Sequence, residues 1–499
     1  MPFSNNTVKH TCFCSSISRL IIMKLIWFDA LLLLLLLQLL FSKAASEFNI
    51  ETLPGYSGTL PVKLETGYID VGETEEVQIF YYFIESEGNP KTDPILLWLT
   101  GGPGCSALSG LFYEIGPLAF DDVDFDGSLP SIHQNPYSWT KVANIIFIDW
   151  PVGTGFSYAN TSKGYSSSDT KSAKDNYTFL RKWLSNHPMF MKNRLYIAGD
   201  SYGGKLVPMV ALEILKVVSV AGNAGNEAGF HPRIFLQGYI IGNGVTDPNI
   251  DYNERIPYAH RMALIPDEYF ESAKISCDGK YYNPDPKNLQ CLYALRPIQE
   301  SIKNVNGGHI LEPKCKIIAP KPDELGWDQT LVEDDSIDHL FLPSKIDGLW
   351  CRPQTYATSY IWANDPIVQE ALHIKKGTIT DWTRCNHSLS YEHNIESVVQ
   401  YHKILSRKGY EALVYSGDHD MGVPYMGTLK WIRGLNLTID DEWRPWNVNG
   451  QVAGYTRKYK KNDFYLTFVT VKGAGHTAPE YNPEQCLAML DRWLSLYPL

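Results

Sequence analysis

The sequence predicts an α/β fold, a central, mostly parallel sheet flanked by helices with a helical cap inserted late in the chain. Three observations predict it. Short apolar, β-prone runs at 77–84, 95–99, 144–149, 194–198 and 234–241 alternate with helical stretches, the pattern of parallel strands joined by crossovers. After Gly242-Asn243-Gly244 the strand signal fades, and residues 251–350 carry helix-like pieces, three cysteines and a Pro- and acid-rich stretch from Ala319 to Asp335. The chain has 499 residues, 44% hydrophobic and 20% charged, enough for one large core interrupted by an insertion. The expected organisation is a leader over 1–45, a first core part over 46–250, a cap over 251–350 with an exposed linker near 316–338, and a second core part over 351–499. No internal repeat or coiled-coil heptad is evident.

The first element is the leader. Ala30 to Phe41 is a twelve-residue apolar run dominated by Leu, followed by Ser42-Lys43-Ala44-Ala45, a small-residue site suited to signal peptidase. The run is shorter than the roughly 20 residues of a membrane span, so no stable span is expected. Met23-Lys24 just ahead of it reads as the ordinary start of a signal peptide, with residues 1–22 an upstream extension.

The strand Pro94 to Thr100 opens into Gly101-Gly102-Pro103-Gly104-Cys105-Ser106. Further on, Arg194 to Ala198 runs into Gly199-Asp200-Ser201-Tyr202-Gly203 and then into the helical stretch Val207 to Leu215. Gly-x-Ser-x-Gly between a strand and a helix is the setting of a nucleophile elbow in an α/β-hydrolase fold, where the flanking glycines remove Cβ atoms that would collide at so sharp a turn. That fold supplies an acid and then a His downstream. Glu411 to Gly417 is a strand ending in Asp418-His419-Asp420, and Phe464 to Val471 is a strand followed by Gly473-Ala474-Gly475-His476. His476 is placed to take the proton of Ser201 and return it to a leaving group, while an Asp, 418 or 420, holds the imidazole. The Gly102 and Tyr202 N–H groups are the expected oxyanion donors.

Gly-Gly-Pro-Gly-Cys-Ser, Pro151-Val152-Gly153-Thr154-Gly155-Phe156-Ser157-Tyr158, Gly-Asp-Ser-Tyr-Gly-Gly and Gly475-His476-Thr477-Ala478-Pro479-Glu480 together resemble the signature segments of plant serine carboxypeptidase-like proteins. The resemblance runs from about residue 50 to the C-terminus. It implies Ser201, Asp420 and His476 as catalytic residues, with Asp420 preferred over Asp418. It also implies that Thr100, Gly101 and Asp200 bind substrate. Carboxypeptidases of this family have Asn where Thr100 stands and Glu where Asp200 stands, a pair that hydrogen-bonds the free carboxylate of a peptide. Asp before the serine resembles the acyltransferase branch, which takes acyl groups from 1-O-β-glucose esters. The expected partners are therefore a small acyl-glucose donor and a hydroxyl acceptor, the alternative being a peptide C-terminus. Trp150 departs from the small or polar residue common at its position, and reads as either an acyl-pocket wall or core.

Cysteine usage agrees with export. Seven cysteines remain beyond the leader, and the resemblance pairs Cys105 with Cys385, Cys277 with Cys291 and Cys315 with Cys351, leaving Cys486 as a buried thiol. Asn160, Asn176, Asn386 and Asn436 each head an Asn-x-Ser/Thr triplet, the acceptor pattern for glycosylation. Without residues 1–45 the chain carries 40 basic and 54 acidic side chains, net −14, which argues against nucleic-acid binding and is compatible with a vacuole or apoplast. No Cys-x-x-Cys or His-x-x-x-His spacing occurs, so neither metal nor other cofactor is expected.

Overall fold

The computed structural model describes residues 47–72, 76–121, 128–215, 233–315 and 352–499. The expected leader over 1–45, the linker near 316–338 and Cys351 lie outside the described residues. Among those described, no helix is long and apolar enough to cross a membrane.

One twelve-stranded sheet organises residues 47–499. Its order is Glu47–Ile50, Leu64–Val71, Val77–Ile84, Asn144–Ile148, Ile95–Leu99, Leu195–Asp200, Leu236–Gly242, Glu411–Gly417, Phe464–Val471, Gln451–Lys461 and Thr438–Val448, with Tyr158–Ala159 pairing to Val77–Ile84 off this path. The block from Asn144–Ile148 to Phe464–Val471 is parallel throughout. Both flanks are antiparallel, so the sheet is mixed, and the expected parallel character belongs to its centre.

The central strands are apolar in continuous runs because they are covered on both faces. Period-two alternation then sends neighbouring residues to opposite layers. Leu96, Trp98, Ile145 and Phe147 join one core layer with Trp362, Met489, Leu490 and Trp493. Ile95, Leu97, Leu99, Ile146 and Ile148 join the other with Phe179, Leu206, Val207 and Val210. Helix Pro483–Leu494 thus covers the first face, and helices Asp169–Asn186 and Gly203–Leu215 cover the second. Trp150 is wholly buried in this second layer, which places it in the core and overturns the pocket-wall alternative. Cys486 is buried in the first layer and unpaired.

The inserted segment contributes helices Arg255–Arg261, Asp267–Ser276 and Leu289–Ile302. They close round a separate apolar cluster that includes Tyr258, Ala273, Leu295 and Ile298, and that also takes in Met421. The Cys277–Cys291 disulfide joins two of these helices. Because Met421 follows Asp420, the insertion is seated against the loop beyond the Glu411–Gly417 strand.

Candidate active site

The parallel strands end on one side of the sheet, where α/β folds place their sites. The Leu195–Asp200 strand stops one residue before Ser201, and helix Gly203–Leu215 begins two residues after it. Ser201 has φ 51°, a left-handed conformation uncommon for a residue with a side chain. A Cβ at Gly203 would strike the carbonyl oxygen of Leu99, so glycine is required for the turn to lie against the neighbouring strand. The Ser201 N–H donates to Gly242 O at 3.0 Å, and Val245 N–H donates to Ser201 O at 2.9 Å. Serine is therefore pinned from both sides.

Two loops meet it. His476 Nε2 lies 2.8 Å from Ser201 Oγ, and His476 Nδ1 lies 2.7 Å from Asp420 Oδ2. With the carboxylate accepting at Nδ1, the Nδ1–H tautomer leaves Nε2 free to accept the serine proton. Asp420 is wholly buried. Its Oδ1 accepts from Val423 N–H at 3.0 Å and its Oδ2 from the Asn243 side-chain amide at 2.9 Å. Asp418, the other sequence candidate, instead accepts from Gly473 N–H at 2.7 Å and pairs with His419 at 2.6 Å. Burial pulls the His476 pKa down, but the Asp420 carboxylate and, further off, Asp200 outweigh it, leaving the imidazole above its ordinary value.

The glycine loop after Ile95–Leu99 crosses directly over the serine. A Cβ on Gly101 would stand 2.5 Å from Ser201 Cβ, so the backbone approaches only because that residue is glycine. Among the described residues neither the Gly102 nor the Tyr202 N–H has an acceptor, which leaves both for a substrate oxygen. The loop is held by the Cys105–Cys385 disulfide and by Ser106 N–H to Arg384 O at 2.7 Å. The Tyr202 hydroxyl faces away, donating to Asp169 at 2.6 Å.

Beside the serine lies a buried acidic group. Asp200 accepts from Gly101 N–H at 3.2 Å, and burial pushes its carboxyl up to about 6. Glu114 is raised well above the carboxylate range by burial, then by Asp200 and Glu480, and its Oε2 has no partner. Thr100 Oγ1 is likewise buried without a partner. Arg384 moderates both carboxyls and lies 3.9 Å over the Tyr356 ring.

Asn243, Glu114 and Arg384 escaped the motif reading. Asn243 carries a signal, an Asn between glycines at a strand end, with φ 42°. Glu114, a lone charge in the apolar run Leu111-Phe112-Tyr113-Glu114-Ile115, carries another. Arg384 carries none. The no-metal expectation rested on sequence spacing, yet Glu47, Glu65 and His187 gather ligand-type atoms within 4.8 Å of one another. His187 contacts both carboxylates, its Nε2 lying 3.0 Å from Glu65 Oε1 and 3.9 Å from Glu47 Oε2.

Cys315 is disulfide-bonded, its expected partner Cys351 lying outside the described residues. Asn160 and Asn436 are exposed, and Asn386 is half-buried with its amide donating to Gly153 O at 2.9 Å. Asn176 is 1% exposed and its amide nitrogen is sealed without a partner. That burial corrects the sequence expectation, since a glycan on Asn176 has no path out of the folded helix.

The sequence pattern described as serine carboxypeptidase matches residues 54–496. The chain belongs to the serine carboxypeptidase family. Similar curated proteins include serine carboxypeptidase-like 7 of Arabidopsis thaliana, 47% identical over 94% of this chain and 98% of that protein. Serine carboxypeptidase-like 17 of the same plant is 46% identical over 94% of this chain and 97% of that protein. Among solved structures, a prohormone-processing carboxypeptidase from Saccharomyces cerevisiae superposes with TM-score 0.65 at 22% identity, covering 90% of this chain and 95% of that one. The fold is the α/β-hydrolase fold, and this family member is an enzyme.

Proposed function

We propose that the protein is a serine carboxypeptidase-like acyltransferase of the secretory route, vacuole or apoplast. In this reading it takes an acyl group from a 1-O-β-glucose ester and passes it to a hydroxyl acceptor. The observation that carries this is the pair Thr100 and Asp200. Asp200 is short and turned onto the Gly101 N–H at 3.2 Å, and Thr100 offers one hydroxyl where a carboxamide would offer two donors. A pair so reduced is a poor clamp for a free carboxylate.

Ser201 Oγ attacks the ester carbonyl while His476 Nε2 takes its proton, and the oxyanion accepts from the Gly102 and Tyr202 N–H groups. The carbonyl carbon to glucose oxygen bond then breaks, with His476 returning the proton to the departing sugar. An acceptor hydroxyl next gives its proton to His476, attacks the acyl-serine and releases Ser201 with its proton restored. Transfer outruns hydrolysis where the acceptor is held in place, since positioning is worth roughly 7 to 11 kcal/mol of barrier.

A serine-type carboxypeptidase is the second reading, and one observation favours it. Burial raises Asp200 to about 6 and Glu114 well above the carboxylate range, so at acidic pH both are protonated and able to donate to a peptide carboxylate. Purified enzyme is incubated with blocked dipeptides and with acyl-glucoses plus alcohol acceptors. Ester transfer with little amino-acid release is expected; rapid dipeptide cleavage without transfer overturns the proposal.

A further inference from the structure

The insertion returns to the core through Gly307, Gly308, His309 and Ile310, which together touch both site loops. Gly307 O accepts from Met421 N–H and Gly422 N–H, each at 2.9 Å, and His419 O accepts from Ile310 N–H at 3.1 Å. These bonds bracket Asp420. On the other loop, Gly308 O accepts from the backbone N–H of His476 itself at 2.8 Å. His309 completes the contact. It is buried, its Nε2 lies 3.0 Å from Gly473 O, and Leu311 N–H donates to its Nδ1 at 3.3 Å. An accepting Nδ1 requires the proton on Nε2, so the ring donates to the carbonyl at the start of the Gly473-Ala474-Gly475 turn. The ring also stacks on His419 with centroids 5.5 Å apart and lies against Gly475, where an added Cβ would stand 2.9 Å from His309 Cδ2. Past it, Glu312 pairs with Arg352 at 2.7 Å, and Arg352 with Glu480 at 3.2 Å, so the same limb reaches the helix that follows His476.

We infer that His309 is a positioning residue for the acyl-enzyme chemistry: its Nε2–H holds the Gly473–His476 turn, and with Gly307 and Gly308 it sets the spacing between the Asp420 loop and the His476 loop. The inference rests on the triad reading above and is indifferent to which acceptor receives the acyl group. The two loops touch directly through Gly473 N–H to Asp418 Oδ1 at 2.7 Å and His419 N–H to Ala474 O at 2.9 Å. A third segment hydrogen-bonded to both adds a clamp around the 2.7 Å contact between Asp420 and His476, and small displacements of reacting groups are costly, with about 1 Å worth on the order of 100-fold in rate.

The test compares His309→Gln with His309→Asn in the full-length enzyme. The longer amide places its nitrogen where Nε2 stands, while the shorter one reproduces only the acceptor at Nδ1. The rate at which a fluorophosphonate labels Ser201 is measured with the melting temperature, and kcat and KM are measured with a small chromogenic ester. His309→Asn is expected to label about 10-fold to 100-fold more slowly, with kcat reduced and KM little changed, and His309→Gln to recover most of that loss at a similar melting temperature. Wild-type rates in both variants, or a loss shared by both in step with lower melting temperatures, overturn the inference. An enzyme that labels normally yet transfers no acyl group contradicts the proposed function and leaves this comparison standing.

Discussion

Replacing Asn243 by Asp tests how Asp420 is held. The wild-type amide donates to Asp420 Oδ2 at 2.9 Å and accepts from Gly417 N–H at 3.0 Å, with both side chains wholly buried. Asn243→Asp keeps the acceptor for Gly417 and the shape of the side chain, but sets an oxygen where the donor was. Two carboxylates at that separation repel by about 6 kcal/mol at an effective dielectric of about 20, so the pair keeps one proton between them at neutral pH. The proton disrupts the carboxylate that orients the imidazole, and fluorophosphonate labelling of Ser201 should slow by about 10-fold to 100-fold. A pair that binds its proton more tightly when folded contributes stability below the unfolded carboxyl range and loses it as pH rises. The variant's melting temperature should therefore approach wild type near pH 4 and fall behind it toward pH 7. Asn243→Ala removes both hydrogen bonds and strands the Gly417 N–H, costing about 3 to 5 kcal/mol of stability. The assays are labelling rate against pH and thermal melts across the same range. Wild-type labelling by Asn243→Asp at neutral pH, with a parallel stability profile, would refute the reasoning.

Because His476 acts as a base only when neutral and is held above its ordinary value, the labelling rate should rise with pH along a limb centred above the ordinary imidazole range. Asp200→Asn removes one charge that raises His476 and should move that limb to lower pH; an unmoved limb in a pH–rate profile counts against the assignment. Opening the Cys105–Cys385 bridge, which spans 280 residues, by a double Cys→Ala change should cost about 5 kcal/mol and slow labelling through the loosened Gly102 loop, read by denaturant melts. The Cys486 thiol, buried and pushed far up by burial, should resist Ellman's reagent in the folded protein and react once it is unfolded; rapid native reaction would contradict its placement. Glycopeptide mass spectrometry of the protein expressed in plant cells should find Asn176 bare.

Much of the fold was legible because parallel central strands are buried on both faces and so read as unbroken apolar runs, as at Ile95–Leu99 and Asn144–Ile148. The Thr438–Val448 and Gln451–Lys461 hairpin was not, since the first strand is largely exposed, the second mixes buried and exposed positions with mostly polar residues, and Pro445 and Gly454 interrupt them. The elbow was legible for a local reason: a sharp strand-to-helix turn demands small neighbours, and Gly199 and Gly203 each stand two residues from Ser201 in the chain. By itself the sequence also determined that an acid and a His would leave later strands on short loops. Residue chemistry left Asp418 and Asp420 open and the family resemblance preferred Asp420; the tertiary structure puts Asp420 on the imidazole and alone shows what holds the two together. Asp418 and Asp420 are two residues apart in the same turn, and their roles diverge because Asn243 and Val423 stand over one and Gly473 over the other. Val423 is local to that turn, but Asn243 and Gly473 come from other segments far along the chain, and a contact between distant segments leaves no periodic trace in either.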